Sequence, residues 1–416
     1  MKSDEVFDVL IAGGGLAGLS LALALDSAGF KVAVIDKLPP VEMLEEKYDG
    51  RSSAIAYANM RMLEVLGIKD KLLEFGEIKE ILVCDGKVKD GAQKGGARGF
   101  TLHFDEAEIS DSEPLGYMIE NRHTRLALDK AASLRENITR ITGQSYITHR
   151  ELGDIVEVEI SDGRKLQAKL LVGCDGRGSK VRNNAGIKTN KFGYNQTGIV
   201  TTVKLEKPHN SVAYEYFLPS GPFAILPLPE NRASIVWCEP HAKAQTIVKQ
   251  SKEFIEAELQ KRFGDILGKV EICAPVFAYP LSMELAADWY RPRVALCGDA
   301  AHGIHPVAGQ GFNLGLKDVA ALAEVLINSR DVGLDIGDEI VLEEYAKWRR
   351  TDTMMVALAC DAFVRLFSND FAPLRLIRNI GIGVVDNISP MRKFFCRHAG
   401  GDVGDLPKLL RGEELV

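Results

Sequence analysis

A short apolar run at residues 6–12 ends in Gly13-Gly14-Gly15-Leu16-Ala17-Gly18, and a helical stretch from about Leu16 to Ala28 follows at once. After the turn Ser27-Ala28-Gly29 comes a second apolar run, KVAVIDK. A strand, a tight turn, a helix and a second strand in this order, rich in Val and Ile, suit parallel strands buried on both faces. Gly13, Gly15 and Gly18 make G-x-G-x-x-G at the turn, and Asp36 ends the second strand 18 residues past Gly18. In such a turn the first glycine permits the bend, the second lets a pyrophosphate approach the backbone, and the third lets helix and strand pack closely. Phosphate charge then rests on the helix N-terminus, and Asp36 can accept from a ribose hydroxyl. A glycine turn alone is only a bend; the strand, helix and acidic residue around this one point to a dinucleotide.

At 416 residues the chain is long enough for two interleaved lobes around a substantial core. A net charge of -7 disfavours a nucleic-acid surface, which needs clustered Lys and Arg, and leaves a small or neutral partner. The seven cysteines, Cys84, Cys174, Cys238, Cys273, Cys297, Cys360 and Cys396, show no Cys-x-x-Cys spacing. They read as buried thiols in a reducing compartment, with no metal site. The N-terminal stretch combines acidic residues with a glycine cluster and reads as fold, not as a secretory signal. No uninterrupted run of about 20 apolar residues suggests a membrane span, so the expected location is cytoplasmic.

A second helix is expected over Ala54 to Leu66, capped by Gly67. Glu80 to Glu113 is glycine-rich and charged, an excursion from the scaffold, and Tyr117 to Leu134 reads as a strand followed by a helix. Within 155–173, IVEVEI, a Ser-Asp-Gly turn and KLQAKLLVG form a hairpin with one solvated face. IVTTVKL, VAYEYFL, FAILPL and ASIVW, between Gly198 and Trp237, are β-branched and aromatic runs separated by turns, the pattern of an antiparallel sheet. A long helix is expected from Gly311 to about Ser329.

FAD and NAD share the glycine turn, and two later motifs decide between them. LLVGCDGRGSKVR, Leu170 to Arg182, sets an Asp-Gly pair after an apolar strand. ALCGDAAHGIHPVAGQGFNLGLKDV, Ala295 to Val319, ends a strand in Gly298-Asp299 and feeds a glycine-rich loop into the long helix. With three motifs in this order over nearly the whole chain, the sequence resembles the flavoprotein aromatic hydroxylases of the para-hydroxybenzoate hydroxylase type, and among them the ubiquinone-biosynthesis hydroxylases. GYMIENRHTRLAL and the tail VRLFSNDFAPLRLIRNIGIGVVDNISPMRKFFCRHAGG extend the likeness.

The resemblance implies an α/β chain: a Rossmann-like FAD-binding fold with an inserted antiparallel-sheet substrate domain and a C-terminal helical region. The implied parts are 1–75, 116–186 and 286–350 for FAD binding, 76–115 as an excursion of the substrate lobe, 187–285 as the substrate domain and 351–416 as the helical region. For the cofactor it implies contacts from Gly13, Gly15, Leu16, Ala17, Gly18 and Asp36. It implies Arg51 on the pyrophosphate, where a charged fork suits phosphate, and a further contact from Arg122 or Arg125, which the spacing does not separate. Asp175 would organise both FAD and an incoming NAD(P)H, and Gly298 and Asp299 would hold the ribityl chain. Pro306, Gly309, Gly311 and Asn313 would place the flavin ring at the start of the long helix, whose N-terminus favours negative charge on the reduced ring.

No catalytic side chain is identifiable: in this chemistry the flavin carries the hard step and the protein supplies binding, orientation and a dry pocket. Phe217, Phe223, Ile225 and Leu226 are candidates for the pocket wall and equally for plain core. His302 and His305 lack a carboxylate or cysteine at ligand spacing and read as structural. The implied activity is hydroxylation of an electron-rich ring, a polyprenylated phenol, using O2 and NAD(P)H or another electron donor. One rival is an FAD-dependent reductase acting on an isoprenoid without O2. Another is a non-catalytic prenyl-binding carrier, which the intact PVAGQGFNLG loop disfavours. The Trp-x-Trp-x-Ile-Pro segment expected of a related halogenase includes none of Trp237, Trp289 and Trp348. From Asp361 to Gly400 six Lys or Arg stand against three Asp among apolar residues. This reads as a packed helical cap, compatible with peripheral attachment to the inner membrane or with multi-enzyme association.

Overall fold

The computed structural model describes residues 6–39, 50–85, 101–108, 113–306, 309–367 and 388–416. The segment 368–387 of the C-terminal tail therefore lies outside the described residues. Strand β1 (Val6–Ala12), helix α1 (Leu16–Asp26) and strand β2 (Val32–Asp36) realise the opening unit, with the two strands parallel. Helix α1 ends at Asp26, short of Ala28, because Gly29 at φ 75° turns the chain and its N–H donates back to Asp26 O. The expected helix over Ala54 to Leu66 is in fact strand β3 (Ser52–Ala56) followed by helix α2 (Tyr57–Val65). Tertiary pairing overrides local preference there: β3 is held antiparallel on a later strand, with Ala54 opposite Met118.

After β4 (Gly76–Ile78), β5 (Glu80–Asp85) and β6 (Thr101–Asp105), strand β7 (Gly116–Glu120) runs directly into helix α3 (Asn121–Ser133). Strand β8 (Ile138–Thr142) and the meander β9 (Tyr146–Glu151), β10 (Val156–Ile160) and β11 (Lys165–Gly173) follow, then the short helix α4 (Lys180–Asn184). Next come four long strands, β12 (Thr189–Leu205), β13 (Val212–Leu218), β14 (Gly221–Leu228) and β15 (Arg232–Pro240). Helices α5 (His241–Ile247) and α6 (Lys252–Phe263) precede β16 (Val270–Ile272) and β17 (Phe277–Ala286). The chain then returns through β18 (Tyr290–Arg291), β19 (Val294–Leu296) and β20 (His302–Gly303). It closes with helices α7 (Gln310–Asp331), α8 (Glu339–Phe367) and α9 (Ser389–Ala399).

Three sheets result among the described residues. The first has the order β18-β19-β11-β1-β2-β8, with β10 and β9 attached beside β11. Its five strands from β19 to β8 are mutually parallel, and β1 and β2 are buried almost throughout. Helix α1 is buried from Gly18 to Asp26 and packs with α7 in the core of this sheet. A helix covered on both sides has no polar stripe, which is why LSLALAL is apolar all round. The second sheet has the order β20-β17-β12-β15-β14-β13-β5-β6, with β16 on β12. It is antiparallel except where β5 runs parallel to β13. Strands β5 and β6, from the weakly patterned excursion, thus extend this sheet. The third is the small β3-β7-β4 sheet.

All seven cysteines are free thiols, but the expectation that all are buried fails for two: Cys273 is exposed and Cys174 partly so. Among the described residues no helix is long and apolar enough to cross a membrane.

Candidate functional site

Parallel strands in an open sheet aim their carboxyl ends at one edge, and loops leaving those ends meet there. Here β1, β11 and β19 lie side by side, so the glycine turn, the Asp-Gly motif and the Gly-Asp motif emerge together. Contact distances explain the glycines. Gly13 has φ 108°, and a Cβ on it would stand 2.4 Å from Cys174 O, in the Asp-Gly loop. A Cβ on Gly18 would stand 1.9 Å from Gly13 O, which fixes how close α1 comes to the turn. Nothing lies within 4 Å of the Cβ position of Gly15. Gly298, at φ 63°, stacks against Ala17, whose Cβ lies 3.3 Å from where a Gly298 Cβ would be.

Side chains lock these loops. Asp36 Oδ2 accepts from Gly14 N at 2.7 Å and Oδ1 from Leu38 N at 2.8 Å, which orients the carboxylate beside the turn. Asp175 Oδ2 accepts from Lys180 N and Val181 N at the start of α4, while its Oδ1 is buried without a partner. Arg182, buried, donates to Ala300 O at 2.8 Å and Arg177 O at 2.7 Å. Arg177 donates to Ser282 O and Ile304 O and lies 3.5 Å from the Asp299 carboxylate. The two arginines of the Asp-Gly motif therefore clamp the Gly-Asp loop, a role the sequence reading did not assign to Arg177.

A buried charge network supports that loop from below. Asp318 on α7 accepts from Gly298 N at 3.1 Å, pairs with His302 Nε2, and receives Arg349 Nε at 3.0 Å. Arg349 also reaches Asp352 at 2.8 Å. Burial alone would raise the Asp318 carboxyl; the His302 and Arg349 charges outweigh it and hold it below the usual carboxylate range. His302 is structural, but through a carboxylate far away in sequence. His305 is buried edge-on to Tyr194, with centroids 4.9 Å apart, and burial lowers its pKa to about 4, with Arg177 adding to the effect.

The glycine-rich loop before α7 meets β3. Gly309 N-caps α7 at φ 63°, and a Cβ there would stand 3.0 Å from Ala54 Cβ. Gly309 N donates to Pro306 O, and the Cβ position of Gly311 is open. Asn313 is different: its amide donates to Ala54 O and Gly309 O and accepts from Ala56 N and Asn59 Nδ2. With all four capacities used, this side chain splices β3 and α2 to α7 and has none left for a ligand. Arg51 leads into β3, its carbonyl accepts from Asn121 N, and its guanidinium lies 5.4 Å from the Tyr279 ring centroid. Arg122, beside it at the start of α3, approaches His123 Nε2 at 3.4 Å, and Arg125 is one turn further on.

The chain matches the model of the FAD binding domain over residues 6–352. It is 45% identical over 417 residues to the ubiquinone hydroxylase UbiL of Rhodospirillum rubrum, covering 100% of this chain and 95% of that one. It is 34% identical over 405 residues to the 3-demethoxyubiquinol 3-hydroxylase of Escherichia coli, covering 96% and 100%. Among solved structures it superposes on p-nitrophenol 4-monooxygenase PnpA of Pseudomonas putida with a TM-score of 0.77 at 19% identity, covering 96% and 99%. This chain belongs to the FAD-dependent ubiquinone hydroxylase family.

The residues present fit the FAD of this family on three observations. Helix α1 has no side-chain N-cap, the space over Gly15 is open, and Asp175 Oδ1 is a buried acceptor awaiting a donor. An uncapped helix start beside an open glycine is what a pyrophosphate needs.

Alternation along β13 and β14 sorts the pocket-wall candidates. Phe223 and Ile225 face the cluster formed with Ile247, Leu259 and Phe263 of α5 and α6, on the side of the sheet away from the glycine-rich loop before α7. Of the two readings left open for them, this is plain core, because a strand sends neighbouring residues to opposite faces. Phe217 and Leu226 face the other side, toward the glycine-rich loop before α7. Phe217 packs with Ile304, Leu314 and Phe367, and Leu226 with Met118 and Ala54. Glu74, Glu120 and His123 also cluster. Arg232 bonds Glu74 at 2.7 Å and reaches Glu120 at 3.5 Å, so its guanidinium supplies the positive charge there.

Proposed function

We propose that this chain hydroxylates the ring of a polyprenylated phenol in ubiquinone biosynthesis, using O2 and electrons from NAD(P)H. The observation that carries the reading is the meeting of three flavin motifs at one sheet edge, opposite the apolar face of the second sheet. The named activities of the relatives from Rhodospirillum rubrum and Escherichia coli supply the substrate class.

In this reading 1–75, 116–186 and 286–350 hold FAD, while 76–115 and 187–285 wall the substrate. The backbone at Gly13, Gly15, Leu16, Ala17 and Gly18 takes the pyrophosphate on the start of α1, and Asp36 takes the adenosine ribose. Arg51 and one of Arg122 and Arg125 add charge to the phosphates. Asp299, steadied by Arg177, takes the ribityl chain, and Asp175 Oδ1 accepts from the cofactor. Pro306, Gly309 and Gly311 set the ring at the start of α7, whose N-terminus stabilises developing negative charge. Bound FAD supplies two-electron transfer from NAD(P)H and activation of O2, with one oxygen atom entering the ring and the other leaving as water. Asn313 serves by holding that loop to β3.

The C-terminal helices suggest where the substrate is collected. On α8, Met354, Met355, Leu358 and Phe363 are exposed, and around α9 so are Ile388, Met391, Phe394 and Phe395, close to Arg392, Lys393 and Arg397. An apolar face with basic residues beside it suits the surface of an anionic bilayer, where a polyprenyl chain resides. The reading is tested by NADH and NADPH oxidation with and without a short-chain polyprenylphenol, following O2 uptake and product. Matched O2 consumption and hydroxylated product support it. Flavin reduction with product lacking new oxygen would indicate a reductase, and failure to bind FAD a carrier.

A further inference from the structure

One cross-strand row on the flavin-facing side of the large sheet runs Val83, Glu215, Ala224, Val236, Val200, Phe277. Five members are apolar and one is a carboxylic acid. Its neighbours along β13 on the same face are Ala213 and Phe217. Phe217 belongs to the cluster with Ile304 and Leu314, on either side of the ring-placing loop. Ala213 belongs to the cluster with Ala54, the residue against which Gly309 packs. Glu215 therefore sits between the two apolar clusters that border that loop. Opposite it in the register is Ala224, a small apolar residue.

Glu215 is only half-buried, yet burial pushes its pKa up to about 8. The neighbours of Glu215 on this face are apolar, which accounts for the desolvation. Among the described residues, the titratable and charged groups on the elements packed against this face are Cys238 on β15, Tyr194 on β12, Tyr279 on β17 with Arg51 against its ring, His305 before α7, and Cys360, Asp361 and Arg365 on α8. Arg365 bonds Asp361 at 2.8 Å, and among the described residues no cation pairs with Glu215. A single convergent polar group in an apolar wall orients a ligand by that group.

We propose that Glu215 is the general base of the hydroxylation, accepting the proton of the ring hydroxyl of a phenol whose apolar tail lies along this face. The inference rests on the proposed hydroxylase activity. The ring O–H bond breaks, its electron pair stays on the ring oxygen, and the proton moves to Glu215. The electron-rich ring carbon then forms the new C–O bond to one oxygen atom of O2 as the O–O bond breaks, and two electrons from NAD(P)H take the other oxygen atom to the level of water. As that carbon loses its hydrogen as a proton, Glu215 returns its own proton to the ring oxygen, and the released proton is consumed in forming water. An acid poised near neutrality is suited to moving a phenol proton in both directions.

The test compares wild type, Glu215→Gln and Glu215→Asp, each loaded with FAD, acting on a short-chain prenylphenol and its ring-fluorinated analogue across pH. In wild type the hydroxylation rate should rise through a limb near pH 8, where Glu215 is expected to ionise. Glu215→Gln should retain FAD and lose that limb with roughly a hundredfold of hydroxylation rate. Glu215→Asp should keep part of both, and the more acidic fluorophenol should recover part of the Gln variant's loss. An infrared titration should show a carboxyl band that ionises near pH 8 in wild type and is missing from Glu215→Gln. A Gln variant that hydroxylates at the wild-type rate with the wild-type pH limb would overturn the assignment. A wild type that makes no hydroxylated product from any phenol would overturn the hydroxylase reading first, and Glu215's role with it.

Discussion

The glycines of the first turn separate two demands that one motif conceals. Gly13 and Gly18 answer to backbone contacts within the fold, whereas Gly15 answers to open space. Gly18→Ala should therefore destabilise the apoprotein, because a Cβ 1.9 Å from Gly13 O forces α1 off the sheet. Gly15→Ala should leave apoprotein melting unchanged and lower FAD affinity, measured by equilibrium titration. Equal loss of stability in both variants would contradict this division. His305 gives a second prediction. Its pKa falls from 6.5 unfolded to about 4 folded, so the unfolded chain takes up the proton first. Stability is then full above pH 6.5 and declines by roughly 3 kcal/mol as pH falls to 4. Melting curves of wild type and His305→Gln over that window should diverge, with the variant less pH-dependent. Glu215 has the opposite sign: its raised pKa disfavours the folded state as pH rises from its unfolded value toward 8, so Glu215→Gln should raise the melting temperature at pH 7.

Between elements, the joints of this fold are made by groups remote in sequence. The His302, Asp318 and Arg349 network ties the Gly-Asp loop, α7 and α8 together without exposure to solvent. Replacing Arg349 by Met leaves Asp318 buried with only His302 and the Gly298 N–H as partners and should cost about 3–5 kcal/mol in chemical unfolding. Asp318→Asn should weaken FAD binding as well, because Gly298 N loses its charged acceptor. Such joints also mark where the sequence stopped being legible. The opening unit follows from its apolar runs and the glycine turn between them, the hairpin before the Asp-Gly motif from alternation and its Ser-Asp-Gly turn, and the long helix α7 from the stretch after the glycine-rich loop. Strand β3 does not, since SSAIA becomes a strand through pairing with β7 and splicing by Asn313. Phe223 and Ile225 were indistinguishable from Phe217 until the register fixed which face each one takes. Glu215 was passed over because a charged residue within an apolar strand reads as its solvated edge until the second layer is in place.

At the scale of the whole molecule, motif order carried what composition could not: three loops far apart in the chain converge because β1, β11 and β19 are neighbours. The same architecture leaves apolar side chains of α8 and α9 on the surface. Flotation with anionic vesicles should recover the protein, neutral vesicles should recover less, and Phe394→Ser with Phe395→Ser should abolish the difference. Equal recovery by every vesicle would remove the membrane from the account. The central claim is oxygen insertion into a phenol ring. Its most direct test is single-turnover reaction of the FAD-loaded protein, reduced by NAD(P)H, with a short-chain polyprenylphenol under isotope-labelled O2. The account predicts a hydroxylated product carrying one labelled oxygen atom; product with oxygen from water, or reduced flavin consumed without any ring oxidation, would contradict it.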